Sequence, residues 1–314
     1  MNNVLYKVRV NRPCRLFIDD NDFGILDECL VREYLMPPGQ YMRKVVSLDA
    51  RWIEQEDVIG LSGESMVDNI VLDTVDLMAA KMRALHGEKV EGDGLTYEKA
   101  SSDDGVCVFE CDDDDMTYVE IPEQIRVGHY LYDVVEISGF SFVNNKKLQH
   151  VVIPNTVKVI GECAFDGCEK LATMHIPSSV VKIDEYAFCG CAALTSLVIP
   201  SSVGEIGEYA FSDCKKMMFL TIEEGVTAVG EGVFSDCVEL VSVTIPKSLD
   251  SISDFMFSGC TTLGAVTIPE GVYEIGHFAF RDCKLLKYLT IPDSVDNIGR
   301  EAFPQHTKVE RVVE

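Results

Sequence analysis

The sequence predicts a mainly-β chain, a right-handed solenoid of short repeats preceded by a small β-sandwich, and three observations carry that prediction. Phe recurs at Phe142, Phe165, Phe188, Phe211, Phe234, Phe257, Phe280 and Phe303, a 23-residue period without a slip. Cys168, Cys191, Cys214, Cys237, Cys260 and Cys283 repeat on the same spacing, with Asn145 in the equivalent place one period earlier. Ile-Pro pairs begin at Ile153, Ile176, Ile199, Ile245, Ile268 and Ile291, and Ile222-Glu223 fills the one gap.

Residues 1–73 come first and read differently. Period-2 runs at Val4–Val10, Cys14–Ile18, Tyr41–Leu48 and Ile70–Leu72 are separated by turn signals such as Asp20-Asn21-Asp22 and Pro37-Pro38-Gly39, which predicts a small β-sandwich. Residues 74–95 read as a linker helix and turn: Thr74 can cap a helix whose Met78, Met82 and Leu85 share one face, and Gly87 stops it. That Met stripe is read as packing.

Residues 96–314 are the solenoid. Leu95 to Val119 alternates around Val106–Cys111 and carries the turn signal Ser102-Asp103-Asp104-Gly105, so it is expected to form a β-hairpin cap. A cap is needed because an open apolar end would aggregate. In the repeat Leu148-x-x-Val151-x-Ile153-Pro154-x-x-Val157-x-x-Ile160-x-x-x-Ala164-Phe165-x-x-Cys168, Val151 and Ile153 alternate as in a strand. Pro154 ends the ladder because it lacks an N–H to donate. One coil cannot bury these side chains alone, so neighbouring coils must stack. At the far end His306 takes the Cys position and Val309 and Val312 keep the strand register, so the last coil is incomplete and expected to be exposed.

The repeat resembles the BspA-type leucine-rich repeats of bacterial and protist proteins, as in Cys214-Lys-Lys-Met-Met-Phe-Leu-Thr-Ile222 and in Cys283 through Phe303. Tyr118–Ile125 and Tyr132–Phe142 resemble that family's opening rung with a nine-residue insertion. The departures are Glu223 for Pro, Val233 and Met256 for Ala, and Met217 for Leu. The resemblance implies a leucine-rich-repeat solenoid related to surface adhesins, hence a protein partner such as a host or matrix protein. Arg15–Gly24 followed by Leu35–Tyr41 resembles a PEGA-type β domain, which implies surface or scaffold association.

Composition excludes several functions. A formal charge of −25, from 27 basic and 52 acidic residues, argues against nucleic acid. No run approaches the roughly 18 apolar residues of a membrane helix. The charged start, Met1 to Val10, carries no export signal and favours the cytoplasm, whereas the resemblance implies the cell surface or secretion. Oligomeric state is left open.

The twelve cysteines are expected to be reduced. In-register Cβ vectors on stacked coils point the same way, so the ladder thiols should not bond, and each is read as a small buried group filling its turn. Cys107-x-x-x-Cys111 lacks the second pair of a structural zinc site. Asp112–Asp115 lacks the glycine and terminal Glu of a calcium loop, and His150 and His175 lack carboxylate partners in their rows. Phosphate loops, nucleophile elbows and zincin motifs are absent, so no enzyme activity and no cofactor are expected.

Binding is expected on the strand face. If Val151 and Ile153 point inward, alternation exposes one row with His150, Thr173, Ser196, Phe219, Ser242, Ala265 and Tyr288, and another with Val152, His175, Val198, Thr221, Thr244, Thr267 and Thr290. The candidate face is therefore His150, Thr173, His175, Ser196, Phe219, Thr221, Ser242, Thr244, Thr267, Tyr288 and Thr290, neutral and rich in Ser and Thr. Phe219 and Tyr288 break the small-residue rows and are the expected anchors. An intracellular scaffold and a polysaccharide-binding surface are the alternatives, the latter disfavoured because such sites carry several aromatic platforms.

Overall fold

The computed structural model describes, with side chains, residues 94–100, 105–111, 115–125 and 132–312, and further residues as backbone strands. The chain divides into two compact units, residues 1–86 with 126–132, and residues 87–125 with 133–314.

The first unit holds two sheets. In one, Val4–Val10 pairs antiparallel with Val31–Met36 and parallel with Met66–Ile70. In the other, Cys14–Ile18 lies between Asn21–Leu26 and Gly39–Ser47, and Gln55–Leu61 adds to the last, all antiparallel. Four of these strands, at 21–26, 31–36, 55–61 and 66–70, go beyond the four runs legible as alternation. The expected helix at Thr74–Gly87 lies outside the described residues. The end of that segment is a strand instead: Val90–Gly92 pairs antiparallel with Leu95–Lys99, Gly92 opposite Leu95. The dipeptide Asp93-Gly94 is a two-residue hairpin signal, and Gly94 has the positive φ of +77° such a turn uses.

Leu95–Lys99 then pairs antiparallel with Val106–Cys111, which pairs parallel with Tyr130–Ile137 and so joins the hairpin to the solenoid sheet. Gly105 is required by this junction, since a Cβ there would lie 2.4 Å from the Asp133 carbonyl oxygen. Among the described residues, one end of that sheet is the three-residue strand Val90–Gly92, and a short edge limits pairing with other chains.

Each coil contributes two short strands. The first row runs from Tyr118–Glu120 and His150–Val152 to Tyr288–Ile291 and Lys308–Arg311, the second from Val159–Ile160 to Asn297–Ile298, and coils pair in parallel with an offset of one repeat. Between them lies the Phe ladder. Phe142 to Phe280 are at most 1% exposed, and neighbouring rings stack at centroid distances from 4.9 to 5.9 Å within 15° of parallel. The mainly-β solenoid expected from the sequence is therefore present, about eight coils long.

The Cys column follows from backbone geometry. Every ladder thiol donates to a carbonyl one coil back, from Cys168 Sγ to Phe142 O at 3.1 Å through Cys283 Sγ to Phe257 O at 3.2 Å. Asn145, heading the column, instead accepts through Oδ1 from the backbone N–H groups of Lys147 and Leu148. Several of these carbonyls also accept a backbone N–H, as Phe142 O does from Asn145 and Phe165 O from Cys168, both at 3.1 Å, so the thiol adds a second, weaker donor to the remaining lone pair and is small enough to fit inside the turn. None of the ten cysteines among the described residues forms a disulfide. Thiol titration in denaturant without reductant should therefore find close to the full twelve. A count near zero would contradict the in-register ladder.

Glu223 departs from Pro without harm because its carboxylate accepts from the Ser201 N–H at 2.9 Å. Gly225, two residues on, has φ +128°, and an added Cβ would meet the Ser201 carbonyl oxygen at 2.3 Å. The last strand, Lys308–Arg311, pairs with Tyr288–Ile291 and is exposed along its whole length.

Candidate binding face

The first-row strands set the geometry. In His150–Val152, Ser196–Ile199, Phe219–Ile222, Ser242–Thr244 and Tyr288–Ile291 burial alternates residue by residue, with Val151, Leu197, Leu220, Val243 and Leu289 inward. The eleven candidate residues, His150, Thr173, His175, Ser196, Phe219, Thr221, Ser242, Thr244, Thr267, Tyr288 and Thr290, are all exposed. The register is set by the inward residues, because a one-residue slip would send Leu197 and Leu220 to solvent.

Coil pairing brings these side chains into columns. Ser196 lies opposite Phe219, Phe219 opposite Ser242, and Ser242 opposite Ala265. His150 Nδ1 and Thr173 Oγ1 share a 2.6 Å hydrogen bond between adjacent coils. Among the large residues Phe219 is 63% and Tyr288 66% exposed, with Val152 and Val198 smaller apolar additions on the same face. Three coils separate the two aromatics, roughly 15 Å at about 4.8 Å per strand spacing.

Tyr288 does not stand on a flat surface. With Thr267, Thr290, Ala265 and Val312 it lines a hollow at the C-terminal end of the face, and the Lys308 ammonium lies 5.9 Å from its ring centroid. Sequence reasoning placed Tyr288 but not the hollow, whose signal was the return of Val312 to the strand register. A second set of aromatics, two residues before five of the ladder Phe residues, also escaped it.

The thiols carry the main electrostatic signature of the core. Burial pushes Cys168 and Cys283 up to about 12 and Cys191, Cys214 and Cys260 well above their usual value. A nucleophilic or metal-binding cysteine needs the opposite shift. Among the described residues no three His, Cys, Asp or Glu side chains are grouped to hold a metal ion, and no helix is long and apolar enough to cross a membrane.

A β-solenoid with a 23-residue coil, an inward Leu, Ile and Phe core and an open strand face defines a leucine-rich-repeat protein. The profile of the BspA type Leucine rich repeat region matches residues 135–250 and 227–313, in six copies, and the chain belongs to that family. No curated protein matches it. Among solved structures it is similar to a T. pallidum leucine rich repeat protein, at 28% identity and a TM-score of 0.54 over 68% of this chain and 86% of that one. It is also similar to a leucine rich cell surface protein from Faecalibacterium prausnitzii, at 28% identity and a TM-score of 0.50 over 71% of this chain. The match spans only 54% of the Faecalibacterium protein's own length.

Proposed function

We propose that the solenoid is a non-catalytic module that binds another protein through its first-row sheet, with Phe219 and Tyr288 as the anchors. The observation that carries this reading is the exposure of two aromatic rings, 63% and 66%, among mostly Ser, Thr, Val, Ala and His side chains, with Tyr118, 53% exposed and opposite His150, as a further ring on the same face. Exposed aromatics of this kind supply most of the energy at protein interfaces. Family membership supports a binding role, and the description of the Faecalibacterium protein as a cell surface protein supports a partner outside the cell, such as a host or matrix protein. The PEGA-like pattern of residues 15–41 supports surface association. Thiols held protonated by burial support the absence of nucleophilic chemistry.

The test is photo-crosslinking. A benzophenone side chain placed at Phe219 or Tyr288 in the native cell should capture one protein, and the same group at Glu205, an exposed second-row position, should not. Equal capture from all three sites would remove the sheet from the account.

A further inference from the structure

Beyond the sheet, the turn edge of the solenoid presents two adjoining columns that its packing does not require. The residue two before each ladder Phe is Phe140, Tyr186, Tyr209, Phe255 or Phe278 in five coils, all in the left-handed region with φ between +53° and +64°. Bulky side chains rarely adopt that conformation, and Gly232 occupies the same position in its own coil with φ +61°. The fold therefore accepts glycine here and does not demand a ring. Yet the rings are present and reach solvent: Phe140 is 53% and Tyr186 37% exposed, while Tyr209, Phe255 and Phe278 are half-buried. Tyr186 stacks on Tyr209 at 5.4 Å, and Phe255 on Phe278 at 4.9 Å.

One residue earlier in each repeat stands an acid: Glu162, Glu185, Glu208, Glu231 and Asp254 in five consecutive coils. The two columns interlock through the backbone, since Tyr186 N–H donates to Glu208 O at 2.9 Å and Tyr209 N–H to Glu231 O at 2.8 Å. Rings and carboxylates are thus held side by side. Glu231 accepts a hydrogen bond from the Tyr209 hydroxyl at 2.6 Å, whereas Glu162, Glu185 and Glu208 are exposed and meet no Lys or Arg side chain in an ion pair among the described residues. Like charges on adjacent coils, about 5 Å apart, repel one another and gain from any cation set between them.

The molecule itself shows the contact this edge makes. Where the acidic column ends, His277 and Arg300 take its place, and the Arg281 guanidinium lies over the Phe278 ring, 5.4 Å from its centroid. Along the preceding coils, from Glu162 to Asp254, no such internal cation is recorded over the rings among the described residues.

We propose that this turn edge, centred on Tyr186, Tyr209, Glu185 and Glu208, binds an extended Lys- and Arg-rich segment of a protein partner. A Lys or Arg side chain has an apolar stem and a charged head, matching a ring column beside a carboxylate column. Sugar stacking suits the edge less well, because paired rings cover each other's faces. Polyanions are repelled by the column. The proposal is independent of the reading for the first-row sheet, which lies on different residues.

The experiment uses the full chain and a fluorescein-labelled decaarginine peptide, followed by anisotropy at about 50 mM salt, where screening is weak. Three variants are compared with the unaltered chain: E185Q with E208Q, Y186G, and E270Q with D293N as a control pair of exposed acids elsewhere. Y186G installs the residue found at 232, so the backbone tolerates it, and circular dichroism verifies the fold. The edge pair and Y186G should each weaken binding about tenfold, a 1.4 kcal/mol difference, and the control pair less than about twofold. Phe219→Ser should leave peptide affinity unchanged, which separates this surface from the sheet. Equal losses for both acid pairs would show diffuse attraction to a chain of charge −25, and an unchanged Y186G would remove the rings; either result overturns the proposal.

Discussion

Phe211→Ala is expected to destabilise the solenoid by about 3–5 kcal/mol, while Phe303→Ala costs distinctly less. Phe211 is fully buried and stacked on both sides, 5.2 Å from Phe188 and 5.8 Å from Phe234. Truncation there opens a ring-sized void between two coils whose backbones are fixed by parallel pairing, so the walls cannot collapse inward. Phe303 is partly exposed and stacks on Phe280 alone, at 5.9 Å, and the strand after it is exposed along its length. In a one-dimensional array each coil is stabilised only by its neighbours, so an interior lesion weakens two interfaces and a terminal one weakens one. Urea unfolding of both variants measures the difference. Equal losses would mean that the C-terminal coil is covered by something more than Lys308–Arg311.

The second large effect is alkaline unfolding. Cys168 and Cys283 have native values of about 12 against 9.0 for an ordinary thiol, and Cys191, Cys214 and Cys260 are shifted the same way, all chiefly by burial. A group whose native value is raised keeps its proton in the folded state and loses it first in the unfolded state. The stabilisation is fully present below about pH 9 and is lost as pH rises toward 12, at about 1.4 kcal/mol per pH unit for each fully buried thiol. With several thiols in one ladder, a single unit above pH 9 removes on the order of several kcal/mol, a large part of a typical domain's stability. The denaturation midpoint, measured with reductant present, should be level from pH 7 to about 8.5 and fall steeply by about pH 10. Cys214→Ala with Cys237→Ala should make that fall shallower. A midpoint that stays level through pH 10 would mean that the thiols are better solvated than the geometry shows.

Much of this architecture was legible in the residues, and the reason is redundancy. Every coil repeats the same statement, so Val151, Leu197, Leu220 and Leu289 fix the inward register together, and the exposure of Phe219 and Tyr288 follows from them. Features stated once were harder to read. The hairpin at Val90–Gly92 and Leu95–Lys99 depends on one Asp-Gly pair flanked by strands too short to show alternation. The aromatic column at the turn edge was hidden because Cys163 and Gly232 interrupt it, and because left-handed backbone is expected of glycine, not of Tyr186 or Phe255. The ladder thiols were legible as buried, but their S–H donation to the Phe carbonyls depends on the path of the turn, which spacing alone does not encode. The hollow at Tyr288 needed Val312, whose position follows from how the final coil closes.

On the proposed reading the first-row sheet is the working surface, and its aromatics serve binding, not folding. The measurement that tests it most directly is paired: denaturant unfolding and affinity for the protein captured by crosslinking, both determined on Phe219→Ser and Tyr288→Ser. Both side chains face solvent, so stability should stay within about 0.5 kcal/mol of the unaltered chain, while affinity should fall by about 2 kcal/mol or more for each. Unchanged affinity with either variant, or unfolding of the array by Phe219→Ser, would contradict it.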